Sequence, residues 1–226
     1  MCLIVLAWRA HPEFPLIVAA NRDEFHARPA APAAFWDDQP QILAGRDLEA
    51  RGTWMGVSRT GRFAAVTNYR GAKEPRATES RGALVTRFLT NGSKPAEYVD
   101  HVKTGLYSGF NLLATDGKEL WWMSNRDGNP KRLEAGIYGL GNVLLDDPEV
   151  EPIKKAFAAE LSPAPAVESL FGVVRAGRIL HPQYGTRCST VLLHGRRTRY
   201  AERIFAPDGS EGQTVHFEFG DGALTG

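Results

Sequence analysis

Residues 2–24 read CLIVLAWRAHPEFPLIVAANRDE, which is two apolar runs joined by a turn that contains two prolines. Apolar runs of this length next to proline are typical of strands rather than helices. We therefore predict strands at residues 2–9 and 16–20, paired as a hairpin at the centre of a sheet. The start of the first strand in such a hairpin lies opposite the end of the second. Cys2 is therefore expected beside residues 21–24.

Cys2 directly follows the initiator Met1. Removal of Met1 is favoured by a small second side chain, and it would leave a thiol and a free α-amine on one residue. An α-amine has a pKa of about 7.7–8.0, so it can take the proton of the thiol near neutral pH. The alternative is that Cys2 simply opens a buried strand, since free cysteine is among the most buried residue types.

The polar tetrad of residues 21–24 follows the second apolar run directly. Asp23 could hold the α-ammonium group of Cys2, and Arg22 could lower the thiol pKa or receive a substrate carboxylate. Asn21 and Glu24 complete the set of candidate substrate-binding residues. The alternative is a solvated turn that contains an arginine–carboxylate pair.

The composition is that of an ordinary soluble globular protein, with 226 residues, 43% apolar and 23% charged. We predict a single domain over residues 1–226. A net charge of +1 indicates neither a nucleic-acid partner nor a polybasic membrane anchor. There is no signal peptide or apolar span, so we expect a cytoplasmic protein without stable membrane insertion. The two cysteines and six histidines lack metal-ligand spacing, and the oligomeric state stays open.

The order of strands, helix pair, strands, helix pair and strands predicts an α+β fold with stacked layers. Helices are predicted to begin near Ser80 and after Pro95, and to span residues 148–161 and 164–174. Hairpin-linked strands argue against a doubly wound parallel sheet. Residues 26–50 are predicted to form a long loop.

Several stretches, in order along the chain, resemble the NRDE family, also called the transport and Golgi organisation protein 2 family. They are Asn21–Phe25 with Arg28-Pro29, Ile42–Asp47, Gly52–Val57, Thr67-Asn68, Ser80–Gly82, Phe110–Leu113, Gly139–Asn142 and Thr186–Thr190. The resemblance implies an N-terminal nucleophile hydrolase-like fold, a four-layer αββα sandwich of two stacked, mainly antiparallel sheets flanked by helix pairs. It also implies a more distant similarity to the choloylglycine hydrolase and penicillin V acylase group.

Carried over from that group, Cys2 matches the nucleophile and Asp23 the aspartate of its Asn-x-Asp stretch. Asn68 and Asn142 match asparagines that would bind the oxyanion or the substrate, and Arg187 matches a late arginine. From the residues alone, both asparagines could instead satisfy backbone groups at turns, and Arg187 could form a surface salt bridge.

One position departs from the acylase pattern, which has an arginine just before its Asn-x-Asp stretch. This chain has Ala20 there. Arg22 is the expected substitute, from an adjacent position with a different side-chain direction.

The leading functional hypothesis is an N-terminal-cysteine hydrolase or acyl-transfer enzyme for an amide or thioester of a small molecule, with no required cofactor. The resemblance also implies roles in haem trafficking and in lipid or acyl-coenzyme A homeostasis. The alternative is therefore a non-catalytic protein that binds haem or an acyl lipid in the same pocket. Cys2 could then ligate haem iron, with His26 and His181 as further candidate ligands.

Overall fold

The computed structural model describes residues 2–71, 77–162 and 164–220. It divides the chain into two compact units. The first unit comprises Met1–Arg28, Ala135–Gly141 and Leu145–Asp221, and the second comprises Pro29–Glu134, Asn142–Leu144 and Gly222–Gly226. Both units are assembled from separate parts of the sequence. The single domain expected over the whole chain stays a prediction.

Each unit contains one antiparallel sheet. The strands are β1 (Leu3–Trp8), β2 (Leu16–Phe25), β3 (Ala30–Trp36), β4 (Gln39–Asp47), β5 (Met55–Ser58), β6 (Phe63–Asn68), β7 (Phe110–Thr115), β8 (Leu120–Ser124), β9 (Lys131–Leu133), β10 (Gly136–Leu140), β11 (Tyr184–His194), β12 (Arg197–Phe205) and β13 (Glu211–Gly220). The helices are α1 (Gly82–Asn91), α2 (Pro95–Asp100), α3 (Glu151–Ala159) and α4 (Val167–Arg175).

The sheet of the first unit has the strand order β10-β1-β2-β11-β12-β13. The predicted hairpin is present near its centre, with Leu3 opposite Asn21 and Trp8 opposite Leu16. All six residues of β1 are buried. Alternate residues, such as Leu3 and Val5, share a core with apolar side chains of α3 and α4, including the fully buried Phe157. The apolar runs at the N-terminus are therefore the buried middle of this sheet.

The second strand is longer than the sequence predicted, since β2 continues through the polar tetrad to Phe25. The expectation that these residues follow the strand was wrong. The reason is that β11 pairs with β2 along its whole length, from His194 opposite Leu16 to Tyr184 opposite Phe25. A second neighbouring strand thus supplies backbone partners where a polar sequence alone indicates a turn.

The sheet of the second unit runs in sequence order from β3 to β9. The long loop predicted for residues 26–50 was wrong, because that segment contains the β3–β4 hairpin. Its pairing register shifts twice, which obscures the alternation that identifies a strand in a sequence. The indole nitrogen of Trp36 in β3 donates to the carbonyl of Ala44 in β4 at 3.0 Å.

The predicted helices are present, although the second is short. Helix α2 ends at Asp100, and a 3₁₀ turn at Thr104–Leu106 takes the place of its predicted continuation. Helix α1 ends at Asn91 and is capped by Gly92, whose φ of 70° is the left-handed conformation that glycine allows at a helix end. Across the described ranges, no helix combines the length and the apolar composition needed to cross a membrane.

The burial of His194 in β11 makes the stability of the folded protein depend on pH. It is 2% exposed, and burial lowers its pKa to about 4. Its Nδ1 lies 2.6 Å from the hydroxyl of Thr198. The unfolded chain takes up a proton near pH 6.5, and the folded chain resists it until about pH 4. Lowering the pH through this window should therefore reduce the free energy of unfolding by up to about 3 kcal/mol.

Urea unfolding at pH 6.5 and pH 4 checks this expectation. His194→Gln should remove most of the pH-dependent loss, while His216→Gln, at an exposed position, should keep it. Equal losses in the wild type and both variants would contradict the assignment to His194.

Candidate functional site

The structure brings Cys2 and the polar tetrad together, as the hairpin geometry predicts. Cys2 lies one position before β1 and is partly exposed. Its Sγ donates to the backbone carbonyl of Asp23 over 3.5 Å. The hydroxyl of Tyr184, at the start of β11, donates to the same carbonyl at 3.2 Å. Strands β1, β2 and β11 thus each contribute to one small polar cluster.

Asp23 is 2% exposed, and its carboxylate is held by the neighbouring strand. The hydroxyl of Thr186 donates to Oδ1 of Asp23 at 2.6 Å and accepts from the backbone N–H of Ile179 at 2.8 Å. Burial raises the pKa of Asp23, while the Thr186 hydrogen bond favours the carboxylate and lowers that pKa. The result is a fixed carboxylate in a largely water-excluded position.

The pKa of the Cys2 thiol is raised, first by burial and then by the negative charge of Asp23. The hydrogen bond to the Asp23 backbone and the charge of Arg22 act in the opposite direction. Cys2 is therefore a neutral thiol near pH 7 in this arrangement. Nucleophilic chemistry at Cys2 requires a base that removes its proton.

Arg22 occupies the same face of β2 as Ala20, because side chains two positions apart in a strand share a face. The expectation that Arg22 points in a different direction from position 20 was therefore wrong. Cys188 pairs with Arg22 from β11, and Cys2 lies one position beyond the Leu3–Asn21 pair. Arg22, 6% exposed, is thus flanked by both free thiols across the sheet.

Asn21 points to the other face of β2, and its amide is used by the fold. Its Nδ2 donates to the carbonyl of Val174 in α4, and its Oδ1 accepts from the hydroxyl of Ser189, both at 2.7 Å. This arrangement favours an anchoring role over direct substrate binding. Glu24 is partly exposed, and its carboxylate lies 3.9 Å from the guanidinium of Arg22.

Arg187 is the extra residue of a bulge in β11, where the register with β2 shifts between Thr186 and Cys188. Its Nη1 donates to the backbone carbonyls of Phe25, His26 and Arg28 at 3.0–3.1 Å. Arg187 therefore binds the backbone at the end of β2 and in the segment that follows it. The alternative considered from the sequence was a surface salt bridge. Burial is the main cause that lowers its pKa.

The two candidate asparagines lie in the second unit. Asn142 is 8% exposed, and its Nδ2 donates to the backbone carbonyl of Asn68 at 2.8 Å. Asn68 is the exposed last residue of β6. The Asn142 amide thus satisfies a strand-end backbone group, which is the structural alternative weighed from the sequence. An oxyanion role for either residue stays a prediction.

His26 and His181 are neighbours, and one ring nitrogen of each lies next to a backbone group, so their role as iron ligands stays a prediction. Nε2 of His26 lies 3.1 Å from the carbonyl of His181, and Nδ1 of His181 accepts from the backbone N–H of Gln183. Within residues 2–71, 77–162 and 164–220, no group of three or more His, Cys, Asp or Glu side chains is placed to hold a metal ion.

Sequence reasoning missed Tyr184 and Thr186, the two hydroxyl residues that contact Asp23. Thr186 belongs to one of the stretches that carry the family resemblance, but the sequence does not indicate a bulge after it. Only the pairing register shows that Thr186 lies opposite Asp23.

Comparison with known proteins supports both the family and the fold. The family model described as Transport and Golgi organisation 2 matches residues 1–182. The Transport and Golgi organization protein 2 homologs of Bos taurus and Homo sapiens are 33% and 32% identical, and each alignment covers 97% of this chain and 99% of the relative. The Drosophila melanogaster protein is 29% identical, over 66% of this chain and 60% of the relative.

Three solved structures resemble the chain at low identity. They are a Caenorhabditis elegans ortholog of N-acylethanolamine-hydrolyzing acid amidase (TM-score 0.54, 12% identity, 85% of this chain and 92% of that one), penicillin V acylase from Agrobacterium tumefaciens (0.55, 14%, 90% and 83%), and the C2A mutant of conjugated bile acid hydrolase from Clostridium perfringens (0.63, 8%, 96% and 92%). These likenesses concern the fold. The predicted α+β fold of N-terminal nucleophile hydrolase type, with mainly antiparallel sheets, is confirmed.

Iodoacetamide alkylation followed by mass spectrometry tests the electrostatics of the cluster. Because the pKa of Cys2 is raised above 9.0, its alkylation rate should increase about tenfold per pH unit from pH 7 to pH 9 without reaching a plateau. Cys188 is 5% exposed and its pKa is raised further, so it should react far more slowly. Cys2 reacting no faster than Cys188 would argue against an accessible site.

Asp23→Asn should accelerate alkylation of Cys2 at a given pH, because the Asp23 charge raises the thiol pKa. Asp208→Asn, which removes an exposed carboxylate from the same unit, should leave the rate unchanged. A slower reaction in Asp23→Asn would show that the carboxylate does not act on Cys2 in this way.

Proposed function

This chain belongs to the Transport and Golgi organisation 2 family, and from that premise we propose that it is an N-terminal-cysteine hydrolase or acyl-transfer enzyme. Its substrate would be an amide or thioester of a small molecule, handled in the cytoplasm without nucleic acid. The amidase, acylase and hydrolase named above have the same fold and support this class of reaction. The substrate itself is left open by these likenesses.

The observation that carries the proposal is the contact between the Cys2 thiol and the backbone of Asp23, beside the side chain of Arg22. Asp23 and Arg22 are 2% and 6% exposed, in a strand that is otherwise apolar up to Ala20. Burying two charged groups costs free energy that apolar residues would not cost. Such a cost at a partly exposed cysteine favours a chemical role. The solved bile acid hydrolase carries the mutation C2A, so its natural sequence also has a cysteine at position 2.

The chemistry follows from a chain that has lost Met1. The α-amine of Cys2 takes the thiol proton, and the thiolate adds to the substrate carbonyl. Collapse of the tetrahedral intermediate expels an amine or a thiol, which receives the proton from the ammonium group. The acyl group is left on Cys2 as a thioester, and water or another acceptor then removes it.

The surrounding residues have distinct parts in this scheme. The carboxylate of Asp23, held by Thr186, stabilises the ammonium form of the α-amine. The Arg22 charge favours the thiolate. The oxyanion role that the family resemblance implies for Asn68 and Asn142 stays a prediction. Arg187 acts at a distance by fixing the segment after β2.

The raised pKa of the Cys2 thiol favours one second candidate. A neutral thiol that performs no chemistry is suited to a protein that carries an acyl lipid, whereas binding haem iron would require Cys2 to lose its proton. The Nε2 of His26 faces the His181 carbonyl, so its buried Nδ1 is the nitrogen that would be left to bind iron. For haem, Cys2 itself would be the ligand, bound as the thiolate.

Intact-mass analysis of the purified protein tests the premise of the scheme, since the enzyme should lack one methionine. Purified protein should then hydrolyse at least one member of a panel of N-acyl amides and acyl thioesters. Cys2→Ala should reduce that rate by roughly 100-fold or more, because the nucleophile is gone. Cys188→Ala is the matched cysteine control and should retain activity.

Asp23→Asn separates catalysis from simple thiol reactivity. It should lower turnover while it raises the rate of iodoacetamide alkylation. Retained Met1, or no turnover together with saturable haem binding that Cys2→Ala abolishes in a Soret titration, would contradict the enzyme proposal and support the carrier.

A further inference from the structure

A cavity of about 180 Å³ lies in the first unit beside the C-terminal half of α4. Its lining includes Arg175, Arg178, Arg203, Gly172 and the hydroxyl residue Ser189. We propose that this cavity, here called the arginine cavity, binds a phosphate group. The proposal is independent of the chemistry at Cys2 and goes beyond the proposed function.

Arg203 is the compensated cation of the arginine cavity. Its Nη2 lies 2.9 and 2.8 Å from the two carboxylate oxygens of Glu168, and its Nη1 lies 3.6 Å from Glu211. Its guanidinium also lies over the ring of Phe171, with 4.5 Å to the ring centroid. Arg203 is therefore held in place, and its single positive charge is more than offset by the two glutamates.

Arg178 and Arg175 have no carboxylate partner among the residues that the structure describes. Arg178 lies over the ring of Phe205 at 3.5 Å and donates from Nη2 to the carbonyl of Gly209 at 2.6 Å. Stacking and this hydrogen bond fix the plane of the guanidinium and leave other N–H groups free to donate. Arg175 is exposed at the end of α4.

The like charges of these arginines oppose one another. Burial is the main cause that lowers the pKa of Arg178; the charge of Glu211 raises that pKa, and the charges of Arg175 and Arg203 have smaller effects that lower it. A bound anion would relieve this repulsion. Counting the two glutamates, the lining keeps a net positive charge. The fork of a guanidinium matches two oxygens of one phosphate, and a phosphate dianion balances two arginines where a carboxylate balances one.

Gly172 keeps the cavity open on the side of α4. A Cβ added at Gly172 would meet no atom within 4 Å, so the space beside it is empty. Glycine within a helix costs about 0.5–1 kcal/mol relative to alanine. At the floor, Ser189 is 2% exposed and its hydroxyl donates to Asn21. The position of Ser189 in the cavity lining is therefore fixed by its hydrogen bond to Asn21.

The cavity is large enough to hold a phosphate group. The group could be free phosphate or the phosphate monoester of a molecule that extends into solvent. Both sources share the same recognition chemistry.

Isothermal titration of the full chain with inorganic phosphate and with phenyl phosphate tests the proposal. One saturable site is expected. Arg175→Ala with Arg178→Ala should weaken binding roughly tenfold or more, because both uncompensated donors are lost. Arg132→Ala, at an exposed position in the other unit, is the matched control and should leave binding unchanged. Tighter binding of phenyl phosphate would identify a monoester as the ligand, and tighter binding of inorganic phosphate the free ion.

Gly172→Glu is a second variant that should fold well, because glutamate is a better helix former than glycine. Its carboxylate would occupy the cavity in place of the anion and abolish phosphate binding without lowering the melting temperature. Cys2→Ala should bind phosphate normally. A failure of the proposed enzyme activity can therefore be distinguished from a failure of phosphate binding in the arginine cavity. Absence of saturation, equal binding of acetate, or equal weakening by Arg132→Ala would overturn the proposal.

Discussion

Strand β2 is paired on both edges, with β1 on one side and β11 on the other, and the arrangement of the first unit depends on this double pairing. The register places Leu3, Asn21 and Ser189 in one row across three strands. Residues of that row point toward α4, where Asn21 holds the Val174 carbonyl. The next row, on the opposite face, contains Cys2, Arg22 and Cys188. A one-residue slip of β2 would exchange the two faces.

This alternation divides the polar tetrad between two tasks. Asn21 and Asp23 share one face of β2, and Arg22 lies on the other. Asn21 connects sheet to helix, and Asp23 is held by Thr186. Arg22 contributes its charge beside the thiol of Cys2. A four-residue sequence that looks like one functional cluster therefore combines an anchor between sheet and helix with two charged residues beside Cys2. The anchor also reaches Ser189, the floor of the arginine cavity.

The sequence predicts the apolar elements well, because burial leaves a periodic pattern in the residues. The central hairpin and the helices follow from that pattern. The β3–β4 hairpin does not, since its alanines and prolines carry little pattern and its register shifts twice. The extent of β2 was also missed, because its last residues are polar and depend on β11, which is far away in the sequence. The proximity of Cys2 and Asp23 followed from hairpin geometry. The contacts of Tyr184 and Thr186 with Asp23 could not be predicted in this way, since they depend on the long-range pairing of β2 with β11.

The bulge at Arg187 has a consequence for how this chain can change. Thr186 faces the carboxylate of Asp23, while Cys188, two positions later, faces the opposite side with Arg22. That is possible only because one additional residue stands between them; in a regular strand the two side chains would share a side. The number of residues in β11 is therefore constrained more tightly than their identity. Loss of a single codon here would rotate Thr186 away from its carboxylate, even though every other amino acid of the protein remained in place.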